Sequence, residues 1–259
     1  MTVNGVRLAC DDVGSGAPAF VFIHGWCCDR SFFAPQVEHF GSSHHRVVSI
    51  DLRGHGGSDQ PSGPYTIGTF ADDIAGLIDI LGLGKVIAVG HSLGGNVALQ
   101  LAVAHPDRVA GVVMVDPGPL EVSPPLRAFF DEMIEAIESG DREPQRRMVE
   151  RMFLPASDQT LVDRVVQTMT SAPAHVAVAE LRALLEFGGV ATAAACSVPA
   201  LHIAQTSPSN PPHLMSQWLP HVVHGWAVGG GHFSHLESPA EMNAMIEGFL
   251  RFHLGPTES

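Results

Sequence analysis

The sequence predicts an α/β fold, with a mostly parallel central sheet, helices on both faces and an inserted helical cap. Three observations carry that prediction. Over the first 120 residues, short continuous runs of Val, Ile and Phe alternate with segments of helical period. The runs lack polar alternation, which suits strands buried on both faces and hence a parallel sheet covered by helices. From about Pro117 to Ala195 the alternation stops and only helical period remains.

In chain order, Thr2-Val3-Asn4-Gly5-Val6-Arg7-Leu8 reads as two short strands meeting at an Asn-Gly turn, where both central residues need positive φ. The runs 19–23, 46–50, 85–89 and 111–115 are the buried strands. Between them, Ile67, Phe70, Ile74, Leu77, Ile78 and Leu81 share one helical face, with Thr69 and Asp72 as the expected capping pair and Gly82 and Gly84 as the stop. Gly94 to His105 is a second helix, closed by Pro106. Leu126, Phe129, Phe130, Met133, Ile134 and Ile137 open a block of three or four helices, with further stripes at Met148–Phe153 and Leu161–Met169. Strand character returns at 199–203 and weakly at 224–228, and a last helix covers roughly Pro239 to His253. The expected organisation is one domain: a core from residues 1–116, the cap and a connecting helix at 117–195, and the rest of the core at 196–259.

Composition narrows the partners. The 259 residues are 45% hydrophobic and 16% charged, which fits neither a disordered chain nor a coiled coil. Lys plus Arg number 14 against 27 Asp plus Glu, a net charge of −13 that repels phosphate backbones and anionic lipid. Nucleic acid and membrane are therefore not expected partners, and a small molecule is. The oligomeric state, monomer or homo-oligomer, stays open. Cys10, Cys27, Cys28 and Cys196 have no CxxC spacing and read as reduced thiols. No signal-like opening and no apolar run of about 18 residues is found, so the expectation is a cytoplasmic protein.

The chemistry is expected at Gly90-His91-Ser92-Leu93-Gly94-Gly95, between a buried strand and a helix. Such a turn strains the backbone of the nucleophile and tolerates only small neighbours, hence the flanking glycines. It exposes the Ser92 hydroxyl and aims the Leu93 N–H and the helix N-terminus at one point, where negative charge would be stabilised. A serine nucleophile needs a base. His232, in the Gly229-Gly230-Gly231-His232 loop before the last helix, is the expected one, and His235 is a weaker candidate. Histidine spacings at 221/224 and 232/235 lack supporting Cys or carboxylate ligands, so no metal and no cofactor are expected. Gly54-His55-Gly56-Gly57 lacks the third glycine of a dinucleotide fingerprint.

Phe22-Ile23-His24-Gly25-Trp26, Asp51-Leu52-Arg53-Gly54-His55-Gly56-Gly57-Ser58, the Ser92 turn and the His232 loop occur in the order that resembles the α/β-hydrolase superfamily. The resemblance covers nearly the whole chain except the cap. It implies an α/β-hydrolase fold and an oxyanion hole made by the backbone N–H groups of Trp26 and Leu93. In most such proteins an Asp follows the strand equivalent to 199–203, but here the loop reads Gln205-Thr206-Ser207-Pro208-Ser209-Asn210, without a carboxylate. Some members place the acid after the preceding strand, where this chain has Asp116, and Glu121 is the fallback.

The expected function is a serine hydrolase cleaving a small or medium carboxylic ester through an acyl-enzyme on Ser92. The helical stripes Phe129, Phe130, Met133, Met152 and Phe153 suit the core of the cap in the first place, and are also candidates for an acyl pocket beneath it. Serine at 92, where haloalkane and epoxide hydrolases of this fold carry Asp, disfavours those chemistries. A second reading is a cofactor-independent dioxygenase acting on a heteroaromatic substrate, which shares an acid after the preceding strand. Against it, that group carries a second histidine where this chain has Leu93. A catalytically silent scaffold is a third, opposed by the complete Ser-His-Asp set.

Overall fold

The computed structural model describes residues 1–254. A small antiparallel pair, β1 (Thr2–Val3) and β2 (Val6–Arg7), opens the chain, with both Asn4 and Gly5 at positive φ as the turn demands. The main sheet has seven strands: β3 (Cys10–Val13), β4 (Ala19–Ile23), β5 (Val47–Ile50), β6 (Val86–His91), β7 (Val109–Val115), β8 (Ala200–Ala204) and β9 (Val223–Trp226). Their spatial order is β3-β5-β4-β6-β7-β8-β9, all parallel except the edge strand β3. The apolar runs read from the sequence are thus β4 to β9. The strand β3 was not foreseen, because Cys10-Asp11-Asp12-Val13 is largely exposed and carries no apolar pattern. Paired only on one side, it presents charge at the sheet edge, which discourages edge-to-edge association.

Alternate residues of each central strand enter two separate cores. Val21 and Ile23 face one core with Val48, Ile50, Ala88, Val112 and Met114, and Phe20 and Phe22 face the other with Ile87, Val89, Val113 and Val115. The first core is covered by α2 (Ile67–Leu81), α3 (Leu93–Ala104) and the inserted helices, the second by α11 (Pro239–His253) and the short α1 (Ala34–Ser42). Helix α1 escaped the sequence reading because Pro35, Gly41 and only two inward apolar residues leave a weak period. Thr66, rather than the expected Thr69 and Asp72, caps α2: its Oγ1 accepts the Thr69 N–H at 3.0 Å. The apolar stripe starts at Ile67, so the cap must precede it. Gly82 ends α2 at φ 61°, as expected.

Between β7 and β8 the chain inserts five helices: α4 (Pro124–Glu138), α5 (Glu143–Glu150), α6 (Gln159–Thr170), α7 (Ala174–Glu186) and α8 (Gly189–Ala195). Two further short helices, α9 (Pro212–Trp218) and α10 (Ser234–Glu237), follow β8 and β9.

The loop after β5 is fixed by a buried bidentate pair. Arg53 Nε and Nη2 donate to the two Asp73 oxygens at 2.6 and 2.7 Å, and Asn4 Nδ2 donates to the same carboxylate at 3.0 Å. Removing one member leaves the other charge buried and unpaired, the costly case for ion pairs. Asp73→Ala is therefore expected to lower unfolding free energy by about 3–5 kcal/mol, read from the urea midpoint. A cost below about 1 kcal/mol, the exposed-pair range, would mean that water reaches Arg53.

Candidate active site

Strand order decides where a site can form. From β4 the chain crosses to β5 on one side and then returns to place β6 on the other, so the crossovers diverge between β4 and β6. Ligand crevices open at the carboxyl ends of such neighbouring strands. Here those ends deliver His24-Gly25-Trp26 from β4 and Ser92 from β6, with Asp116 one strand further on.

Ser92 sits at φ 52°, ψ −124°, as the N-cap of α3. A non-glycine residue in that region is strained, and it persists because its surroundings leave no room to relax. A Cβ on Gly90 would lie 2.0 Å from the Gly94 carbonyl oxygen, and one on Gly94 would lie 2.2 Å from the Ile23 oxygen. The expectation that only small neighbours fit this turn thus has a direct steric cause. The Ser92 N–H donates to Val115 O at 3.0 Å, tying the turn to β7. A Cβ on Gly25 would stand 3.1 Å from Ser92 Cβ, so the β4 loop approaches the serine closely. Among the described residues, the N–H groups of Trp26 and Leu93 donate to no protein acceptor. They are two free donors on the two segments that meet at Ser92.

His24 staples its own loop. Its Nδ1–H donates to Gly25 O at 2.9 Å and its Nε2 accepts the Leu52 N–H at 3.0 Å, which requires the neutral ring. Burial, with His55 nearby, pushes its pKa down to about 3.

The His232 loop comes to the same edge. His232 Nδ1–H donates to Asp116 Oδ2 at 2.6 Å, a contact across 116 residues. Asp116 is 1% exposed, at φ 38°, and its N–H donates to Ile203 O at 2.8 Å. The other ring nitrogen, Nε2, makes no hydrogen bond to Ser92 Oγ, and such catalytic contacts are commonly long before substrate is bound. The loop is held from several sides. Its His232 N–H donates to Met152 O at 2.8 Å, its carbonyl accepts the His91 Nε2–H at 2.9 Å, and the Gly231 N–H donates to Glu237 Oε2 at 2.7 Å. The fallback acid Glu121 is exposed, away from any such contact. His235 is fully buried against His91 and Phe33, with neither ring nitrogen partnered among the described residues.

One role was not foreseen. Asn210, in the acid-free loop, donates through Nδ2 to the Pro117 and Gly118 carbonyls at 2.9 and 3.0 Å, and its Oδ1 accepts the Leu120 N–H at 2.8 Å. It buttresses the segment that follows Asp116. An amide where an acid was missed was the available signal. Of the proposed pocket stripe, Phe153 stacks on Phe233 next to His232, with ring centroids 4.9 Å apart, whereas Phe129 is 41% exposed and faces solvent. Phe130 and Met133 are buried. Their α4 spacing served the inserted helices' own packing.

Burial keeps several imidazoles neutral. It lowers His235 to about 3 and His202 to about 4, and it holds His91 well below the ordinary 6.5, with His235 and His232 adding to the effect. Unfolding frees these groups to bind protons between 6.5 and their folded values, so stability is intact above 6.5 and falls with pH below it. His55 runs the opposite way, because burial is outweighed there by the Glu180 carboxylate and its pKa is raised. Each depressed histidine contributes a slope of up to about 1.4 kcal/mol per pH unit. His235→Phe should flatten the fall in urea stability between pH 6.5 and 5 by about 1 kcal/mol per pH unit. Parallel curves for variant and parent would show that the ring is protonated in the folded protein.

Four free thiols, at Cys10, Cys27, Cys28 and Cys196, were expected and are found, the last three buried. No helix among the described residues is long and apolar enough to cross a membrane.

Comparison with known proteins accords with this architecture. RutD of Caulobacter vibrioides, a candidate carbamate hydrolase, is 30% identical over 233 residues, covering 85% of each chain. The 2-(acetamidomethylene)succinate hydrolase of Mesorhizobium japonicum is 39% identical over 114 residues, 44% of this chain, and the match spans 40% of that protein's length. A thermophilic esterase from Thermogutta terrifontis superposes with a TM-score of 0.84 at 28% identity, covering 95% of this chain and 93% of that one. The family model for the alpha/beta hydrolase fold matches residues 18–239, and the chain belongs to the α/β-hydrolase family.

Proposed function

We propose that the protein is a serine hydrolase of small or medium carboxylic esters, with Ser92 as nucleophile, His232 as general base and Asp116 as the acid that orients it. The observation that carries the reading is the 2.6 Å bond from His232 Nδ1–H to the buried Asp116 carboxylate, at the sheet edge where Ser92 is strained. That bond fixes the tautomer: the proton is on Nδ1, so Nε2 is free to accept the serine proton. Ser92 Oγ attacks the carbonyl carbon and its proton passes to His232. The developing oxyanion is held by the Trp26 and Leu93 N–H groups, which have no other acceptor among the described residues. His232 then protonates the departing alcohol. In the second half, water gives its proton to the same ring and bonds to the acyl carbon, the bond to Ser92 Oγ breaks, and the ring returns the proton to that oxygen.

An apolar surround, with Phe153 against Phe233 and buried Trp26, favours an uncharged acyl group. Esterase, carbamate and amide chemistry in the names of similar proteins supports hydrolysis at an acyl carbon. The test is a series of nitrophenyl esters graded by acyl length, run in air and under argon. Equal hydrolysis in both atmospheres, with a fluorophosphonate labelling Ser92, is the expected result. No ester hydrolysis in either atmosphere, with oxygen consumed on a 3-hydroxy-4-oxoquinoline, would replace it by the dioxygenase reading.

A further inference from the structure

Helix α7 reaches from the insert into the turn that carries Trp26. That turn is closed by the Cys28 N–H donating to Gly25 O at 3.1 Å, with Cys27 at φ 56°. A positive φ at the third residue alone marks a type II turn, where glycine is the usual occupant. Cys27 is no reactive thiol: burial first, and then Glu180, push its pKa well above the ordinary value. What holds a side-chain-bearing residue there is on α7. Glu180 Oε2 accepts the Cys27 N–H at 3.3 Å and the His55 Nε2–H at 3.2 Å. One helical turn earlier, Ala177 O accepts the Trp26 Nε1–H at 2.9 Å. Both contacts come from one face of α7.

Glu180 is fully buried, and His55 lies between it and the backbone, with Nδ1–H donating to Arg53 O at 3.0 Å and Nε2 3.2 Å from Glu180 Oε2. Type I and type II turns differ by rotation of the central peptide. The N–H of that peptide, Cys27 N–H, is the one that Glu180 binds.

We propose that Glu180, supported by His55, is a positioning residue for the reaction: it keeps the Gly25–Cys28 turn closed against α7 and so holds in place the Trp26 whose N–H meets the oxyanion. The inference rests on the ester-hydrolase reading above. Glu180 touches no reacting atom. It acts through the turn, which makes the oxyanion donor dependent on the inserted helices.

The test measures nitrophenyl ester hydrolysis by the full chain, together with inhibition by a trifluoromethyl ketone matched in acyl length, whose adduct on Ser92 carries the oxyanion. Losing an oxyanion donor outright costs about 10²–10³ in kcat, and a misdirected one less. Glu180→Leu should lower kcat about 10- to 100-fold, leave KM within about twofold, and weaken the ketone by the same factor as kcat. Glu180→Gln, whose amide oxygen still accepts from Cys27, should stay within about fivefold of the parent. Adding Cys27→Gly to Glu180→Leu should recover most of the loss, because glycine takes the positive φ without help. Should Glu180→Leu not fold, Glu180→Asp, which withdraws the carboxylate by one methylene, carries the same expectations. Parental kcat in Glu180→Leu, or in Glu180→Asp where the leucine variant does not fold, a change in KM alone, or no recovery by Cys27→Gly overturns the proposal while leaving the hydrolase reading intact. A parent that neither hydrolyses the esters nor binds the ketone overturns both.

Discussion

Ser92→Ala is expected to lower kcat for nitrophenyl ester hydrolysis by about 10⁴–10⁶. The removed oxygen is the atom that would bond to the acyl carbon, so the route through an acyl-enzyme is closed. What remains is water attacking an acyl group still held by the Trp26 and Leu93 donors, which sets the floor of residual rate. The fold should be untouched, since the Ser92 side chain makes no capping hydrogen bond and alanine meets the same backbone constraint. Circular dichroism and the urea midpoint check the fold, stopped-flow release of nitrophenolate checks the burst, and labelling by fluorophosphonate should vanish. A variant that keeps more than a tenth of parental kcat would remove the nucleophile from the scheme.

Asp116→Asn is expected to cost about 10³–10⁴ in kcat while the protein remains folded. Asn fits the space, but its amide can offer an N–H to His232 Nδ1 in place of the carboxylate that now accepts from it. The ring proton would then move to Nε2, where it blocks acceptance of the serine proton. The lost negative charge also removes support for the imidazolium that forms during attack. Glu121→Gln is the control, because that side chain is exposed and should change kcat by less than about twofold. If Asp116→Asn costs less than tenfold, another group orients the ring, and the 2.6 Å contact is structural.

These two variants differ in how the residues became visible. Ser92 was legible because its requirements are local: a Val- and Ile-rich strand before it, glycines two positions to either side of it, and a helix after it. The structure supplies the cause, since Gly90 and Gly94 stand where any Cβ would collide with backbone carbonyls. Asp116 was reached only through the resemblance, in which some members place the acid after the preceding strand, once the loop at 205–210 held none. The sequence contains no pattern that joins residue 116 to residue 232. Asn210, in that same loop, was read as a missing carboxylate and turns out to brace the Pro117–Leu120 segment.

The misses have physical reasons as well. Strand β3 is held by backbone pairing to β5 at an exposed edge, so its side chains carry no burial signal. Helices α1, α9 and α10 are short and bury few residues each, too few for a period to emerge. The stripe through Phe129 suited either cap core or pocket lining; that ring faces solvent, while Phe130 and Met133 are buried.

By itself the sequence determined the local material: which runs must be buried on two faces, where the chain turns most sharply, and that the turn holds a serine with free N–H groups close by. Those features follow from hydrophobic period and steric limits acting over a few residues. Only the tertiary structure decided that Asp116, not Glu121, meets His232, that Met152 and Glu237 hold the histidine loop, and that Glu180 of α7 grips the Trp26–Cys27 peptide. Such contacts join positions 80 to 153 residues apart or lie in loops without period. They depend on the strand order and on the packing of every helix against the sheet, which no short stretch of chain encodes.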